Sequence, residues 1–101
     1  MTYSYHPHAR KEFDDATDYY DAIDLELGDD FLEEIDECIT RILKFPRAWA
    51  RLRGSVRRCR AHRFPYSLVY EIEGEHVFIL AVMHSSRKPN YWAERLEARP
   101  K

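Results

Sequence analysis

Glycine is scarce in this chain of 101 residues, with three, and proline is hardly commoner, with five. A sequence so poor in both is neither a collagen-like repeat nor a low-complexity linker. Gly54 and Gly74 stand in no glycine-rich phosphate loop. Cysteine is sparser still. Cys38 and Cys59 lie far apart and form no Cys-x-x-Cys pair or Cys/His ligand spacing, which argues against a disulfide scaffold and against zinc. Free thiols are expected, and no metal or organic cofactor, because no three or four ligands recur at workable spacing. Long apolar runs are also missing. The longest, Val77 to Met83, falls far short of the roughly 18 to 20 residues that span a bilayer. Met1-Thr-Tyr-Ser-Tyr5 has neither the basic nor the apolar region of an export signal, so a cytoplasmic protein is expected.

What is present is apolar and aromatic material in quantity. Hydrophobic residues make up 45% and aromatics 14% of the chain, enough for a folded core, and the length allows one domain over residues 1–101. The net charge of −2 conceals a polarised sequence. Residues 1–45 hold 4 Lys and Arg against 13 Asp and Glu, a balance of −9, whereas residues 46–101 hold 12 against 5, a balance of +7. No acid intervenes between Glu37 and Glu71, a stretch that carries Arg41, Lys44, Arg47, Arg51, Arg53, Arg57, Arg58, Arg60 and Arg63. Such a run is either a solvated face or a surface for an anionic or acidic partner.

Apolar residues at Ala9, Phe13, Ala16, Tyr20, Ile23 and Leu27 recur at helical steps of three and four. With Pro7 in the first turn, a helix is expected from His6 to Leu27, closed by Gly28 in a left-handed cap. Asp30-Phe-Leu-Glu33 reads as a capping box opening a second helix. The buried stripe of that helix is Phe31, Ile35, Cys38 or Ile39, Ile42 and Phe45, and Pro46 forbids its continuation. So short a joint makes the pair an antiparallel hairpin. Beyond Pro46 the period shortens. Val56–Arg60, Tyr66–Ile72 and His76–Met83 read as strands, the last two joined by a tight turn at Gly74, with the apolar last one buried on both faces. Tyr3–Tyr5 adds a strand at the N-terminus and Tyr91–Glu97 a short helix. The expected class is α+β: an N-terminal helical hairpin packed on a small, mostly antiparallel sheet in the order β-α-α-β-β-β.

Polar groups gather near the strand ends. Arg57, Arg60, His62 and Arg63 lie on one side, ahead of the strand Tyr66–Ile72, and His84, Ser85, Ser86, Arg87, Tyr91 and Trp92 follow the last strand. A histidine and arginines in one place permit metal-free ribonuclease chemistry, the former moving protons and the latter stabilising a pentavalent phosphate. The competing reading makes His84 a hydrogen-bonded strand cap and has Tyr91 and Trp92 covering the sheet rather than stacking a base. His6, His8 and His76 read as surface residues. The serines have no nearby carboxylate to complete a triad. The aspartates of the first helix, Asp14, Asp15, Asp18, Asp21 and Asp24, are either a solvated stripe or one compensated by a basic surface.

Three segments carry a family likeness: Arg60-Ala-His-Arg-Phe-Pro-Tyr-Ser-Leu-Val-Tyr70, the strand Val77-Phe-Ile-Leu-Ala-Val-Met83, and His84-Ser-Ser-Arg-Lys-Pro-Asn-Tyr-Trp92. Together with Ala9, Phe13 and Tyr19-Tyr20 they resemble the RelE/ParE superfamily of toxins over nearly the whole chain. The resemblance implies the toxin component of a type II toxin–antitoxin system, of plasmid stabilisation type, held inactive by a cognate antitoxin from an adjacent gene in a hetero-oligomer. RelE-like members are ribosome-dependent mRNA endoribonucleases. On that reading the catalytic residues are Arg87, Tyr91 and His84, with Arg51 and Arg53 as loose matches to basic residues ahead of the strands. An arginine that RelE-like toxins carry after the aromatic of the penultimate strand is replaced here, since Ser67 follows Tyr66. ParE-like members are non-catalytic inhibitors of DNA gyrase, and Phe-Pro-Tyr is at home among them. A ParE-like gyrase inhibitor is therefore the leading expectation, with the nuclease and a degenerate, non-toxic antitoxin-binding module as alternatives. The expected partner-binding residues are Arg57, Arg60, Arg63, Arg87 and Trp92.

Overall fold

The two hydrophobic periods of the sequence separate cleanly in the computed structural model, which describes residues 1–97; the remaining positions of the expected 1–101 domain lie outside the described residues. Strand β1 (Thr2–Tyr5) leads into helices α1 (Pro7–Ile23) and α2 (Leu25–Lys44), followed by β2 (Arg51–Arg53), β3 (Val56–Arg60), β4 (Tyr66–Glu73), β5 (His76–His84) and a single turn of helix, α3 (Glu94–Glu97). The strands form one sheet in the order β1-β5-β4-β3-β2. Only β1, beside β5, is parallel to its neighbour; the other pairs are antiparallel. The α+β class and the helical hairpin are as the sequence indicates.

The joint of the hairpin differs from the expectation. It lies at Asp24, whose extended backbone (φ −167°, ψ 130°) ends α1 and starts α2. Its N–H bonds Tyr20 O at 3.0 Å, and its side chain accepts from the N–H of Glu26 at 2.8 Å. One residue thus satisfies orphan groups of both helices. Gly28 is no left-handed cap but a buried residue inside α2. A Cβ there would meet the Asp21 carboxylate and lie 3.2 Å from Asp21 Cα, so glycine lets the helices approach closely near their joint. Asp30 and Glu33 are mid-helix and box nothing. Both Cys38 and Ile39 are buried, whereas Phe45, expected in the stripe, is 57% exposed because α2 ends at that residue.

Strand β2 was not expected. It is only three residues long and pairs with β3 through a turn at Gly54 (φ 54°), too short to establish an alternating pattern. His6 is a second difference: it is 5% exposed, not a surface residue. It caps α1 by accepting from His8 N–H at 3.0 Å, and its ring lies against Phe78. Burial lowers its pKa. His8 is exposed, and His76 is half-buried with its two ring nitrogens on Thr2 and Ser4 hydroxyls.

The core lies between hairpin and sheet, and Phe31 is its centre. The rings of Tyr20, Phe64 and Tyr66 stand 5.1 to 5.3 Å from it and that of Phe13 at 6.2 Å. The opposite sheet face buries Val56, Val69, Phe78, Leu80 and Ala81 beneath Trp92. Replacing Phe31 with alanine therefore costs about 3–5 kcal/mol of stability in denaturant unfolding. Leu25→Ala, at a position 73% exposed, changes it by less than about 0.5 kcal/mol.

Candidate partner-binding groove

Alternation along β3 sorts its arginines between the two faces of the sheet. Arg57 lies opposite Tyr70, which is in the core under the helices, and Arg58 lies opposite Val69, on the other face. Arg57 is thereby committed to structure. Its Nη1 donates to Arg47 O at 3.1 Å and Trp49 O at 2.8 Å, pinning the segment between α2 and β2, while Tyr70 Oη holds Pro46 O at 2.6 Å. Arg58 and Arg60 instead reach a groove of about 780 Å³ on the face away from the helices, which Arg63 from the β3–β4 loop and Arg87 after β5 also line. Ser67, Met83 and the buried Trp92 contribute to its lining, and among the described residues no acidic one does. Of the residues expected to bind a partner, Arg60, Arg63, Arg87 and Trp92 thus meet in one groove. Arg57 does not join them, and Arg58 takes its place.

Two carboxylates, Glu34 buried and Glu12 half-buried, bond residues of the segments that line this groove. Glu34, 7% exposed on α2, accepts with Oε1 from the backbone N–H of His62 at 2.5 Å and of Arg63 at 2.6 Å. Burial pushes its pKa up, but the two backbone donors prevail and hold it below the ordinary value. Arg63 also pairs with Asp30 at 3.3 Å on the surface. Glu12, on α1, is the hub of the other wall. Its Oε1 accepts from Val82 N–H at 3.1 Å and Arg95 Nη1 at 2.8 Å, and its Oε2 from Tyr91 Oη at 2.7 Å and Arg95 Nη2 at 3.1 Å. Arg87 Nη1 stands 3.8 Å from the same Oε2, and its guanidinium carbon lies 3.8 Å above the Tyr91 ring centre. A long ion pair and a cation–π contact thus orient Arg87.

The same contacts determine what Tyr91 and His84 can do. The Tyr91 hydroxyl donates to a carboxylate, and burial together with that bond raises its pKa far above neutral, so it is poorly placed to accept a proton. His84 Nδ1 accepts from Ser86 N–H at 3.0 Å and bonds Ser86 Oγ at 2.8 Å, and its ring packs edge-on against Tyr66. It lines a separate depression of about 290 Å³ with Glu12 and Arg87. His84, Arg87 and Tyr91 are neighbours, but each is already engaged. Among the described residues no group of His, Cys, Asp or Glu is placed to hold a metal ion.

Residues 3–89 match the family described as the ParE toxin of the type II toxin–antitoxin system parDE. The chain belongs to the ParE toxin family. A solved structure of the chromosomal ParDE toxin–antitoxin system of P. aeruginosa is similar in fold, with a TM-score of 0.61 at 17% identity, over 83% of this chain and 95% of that one. The search of curated proteins found no match. Within the ParE fold of this chain, the sequence reading missed Glu12, Glu34 and Arg95. The signal for two of them was present: Glu12 sits between Ala9 and Ala16, and Glu34 between Phe31 and Cys38, both on the apolar stripe of their helix. A carboxylate on a buried stripe needs donors.

Because the folded-state pKa of Glu34 is depressed, the ionised side chain stabilises the fold above its unfolded value of about 4.5, and that contribution is lost as pH falls through the lower folded value. Glu34→Leu, which strands two loop N–H groups, costs about 1.5–3 kcal/mol at pH 7 by thermal unfolding. The difference from the parent shrinks below pH 4.

Proposed function

We propose that this ParE-family chain is a cytoplasmic toxin that arrests growth by inhibiting DNA gyrase without cutting nucleic acid, and that a cognate antitoxin neutralises it by laying an acidic, amphipathic segment in the groove. The observation that carries the partner claim is the meeting of Arg58, Arg60, Arg63 and Arg87 around a groove that no acid among the described residues lines. Arg58 and Arg60 form no ion pair among the described residues, so their charge is available to a partner. An apolar floor at Met83 and Trp92 suits the non-polar side of such a segment.

The non-catalytic reading is supported by how the nuclease candidates are used. Tyr91 is hydrogen-bonded to Glu12, His84 closes its own turn, and Ser67 occupies the position where RelE-like toxins have an arginine. A ribonuclease needs an acid and a base free to act on the substrate; the imidazole that lines the groove, His62, has its Nε2 3.4 Å from the Arg41 guanidinium, and the other ionisable groups of the lining are the arginines and the Tyr66 phenol.

Purified chain added to a gyrase supercoiling reaction is expected to block supercoiling, and ribosome-bound transcripts in a parallel reaction to stay intact. Cleaved transcripts with gyrase unaffected would overturn the target. For the partner, Arg60→Ala and Arg58→Ala are expected to weaken antitoxin binding roughly two- to fivefold at low salt and less at high salt, as solvent-exposed charge contacts do. Asp18→Ala, on the acidic hairpin, leaves the affinity unchanged.

A further inference from the structure

Between Lys11 and Arg41 the chain has no lysine, arginine or histidine, so nothing cationic dilutes the end of the hairpin where α1 gives way to α2. That end is also apolar. Tyr19, Ile23 and Leu25 are each more than half exposed, and among the described residues they are the three most exposed large hydrophobic side chains. Tyr19 and Ile23 stand one turn apart on α1, and Leu25 follows across the Asp24 joint. Asp18, Asp24 and Glu26 beside them are exposed as well. A single exposed apolar residue needs no explanation, whereas a group of them rimmed by charge marks a contact surface. The groove is its complement. Arg58 and Arg60 enter it without an ion-pair partner among the described residues, and Phe64, Pro65, Met83 and Trp92 give it an apolar lining.

Within one molecule the two surfaces cannot meet, because the hairpin covers one face of the sheet and the groove opens on the other. They do share one end of the molecule. Tyr20, next to Tyr19, packs on Phe64 and Tyr66 with ring centres 4.9 and 6.4 Å away, and both of those residues line the groove. Two copies related by a two-fold axis can therefore each lend the hairpin end to the other's groove, and a contact made twice in this way closes as a dimer. We infer that the groove receives a second copy of this chain, the Tyr19–Glu26 end of one copy seated against Arg58 and Arg60 of the other, in a reciprocal dimer. The apolar side chains of that end cover the groove floor while its carboxylates meet the arginines, which is the acidic, amphipathic chemistry proposed for the antitoxin segment, presented here by the toxin itself. The contact is small and rimmed by water, so it is weak, with a dissociation constant of about 100 µM at low salt. Dilute chain keeps its groove open. The inference rests on the charge and lining of the groove and not on what else binds there.

Sedimentation equilibrium of the purified full chain, without antitoxin, tests it. The mass is expected to rise from one chain towards two as the concentration passes through about 100 µM in about 50 mM salt, and the association to weaken about tenfold in about 500 mM salt. A single-chain mass up to about 1 mM, an association indifferent to salt, or species beyond two chains would overturn the inference. Two doubly substituted chains locate the contact: Arg58→Glu with Arg60→Glu in the groove, and Asp18→Lys with Ile23→Lys on the hairpin end, each checked for the parent's circular dichroism. Either alone is expected to stay monomeric where the parent dimerises, because like charges then face each other. A one-to-one mixture is expected to dimerise, since arginine meets the native acids in one contact and glutamate meets lysine in the other. Dimers in either variant alone, or a monomeric mixture, contradict the assignment, and the mass of the parent decides the inference even where a variant fails to fold. Antitoxin affinity is read on dilute, monomeric chain, so either claim can fail without the other.

Discussion

β1 has four residues and β5 nine, so pairing with β1 leaves part of the β5 edge without a neighbouring strand. The register ends at Tyr5 opposite Ile79. Beyond it, Glu12 accepts from Val82 N–H and Arg95 donates to Leu80 O at 2.8 Å. Side chains thus finish the edge that a longer strand would have paired, and satisfy backbone groups that burial would otherwise leave stranded. Much follows from this. Glu12 and Arg95 also grip each other, which ties the segment after β5 to α1; that segment places Trp92 over the second face of the sheet, and Tyr91 under the guanidinium of Arg87. One wall of the groove therefore rests on the way the sheet edge is closed.

The electrical polarity of the sequence becomes a polarity of the molecule. The helical hairpin is acidic and the groove on the opposite sheet face is basic, and among the described residues the ion pairs between the two halves of the chain are confined to Arg63–Asp30 and the Arg87 and Arg95 contacts with Glu12. On α1, Arg10 and Lys11 pair locally with Asp14 and Asp15 at the i,i+4 spacing, and Asp18 one turn further along is exposed. Charges arranged so contribute little to stability when exposed, but they orient an incoming partner and raise the rate of encounter. The separation of the two signs is what makes the groove a distinct surface.

The fold was readable from the sequence because its long elements keep their period: the stripes of both helices and the apolar runs of β4 and β5 identify themselves. Short or compensated features did not. Three residues cannot show an alternation, so β2 was invisible. Asp24 was passed over as the hairpin joint because Gly28 is the stronger helix-stopping residue type, yet the glycine serves close packing against Asp21. For the groove, Arg60, Arg63, Arg87 and Trp92 were found through the basic run and the strand ends. Arg57 belongs to the same run, and only the register opposite Tyr70 reveals that it faces the helices. Glu12 and Glu34 went unnoticed because their donors come from residues distant in sequence, from Arg95 and from the backbone of His62 and Arg63.

The central claim is that the basic groove, and not the acidic hairpin, receives the antitoxin. Amide hydrogen exchange of the full chain, measured alone and saturated with its antitoxin, tests it most directly. The account predicts new protection in residues 58–66 and 85–92, on the two walls of the groove, with exchange across residues 14–30 unaltered. Protection confined to residues 14–30, with both walls exchanging as in the free chain, would contradict it.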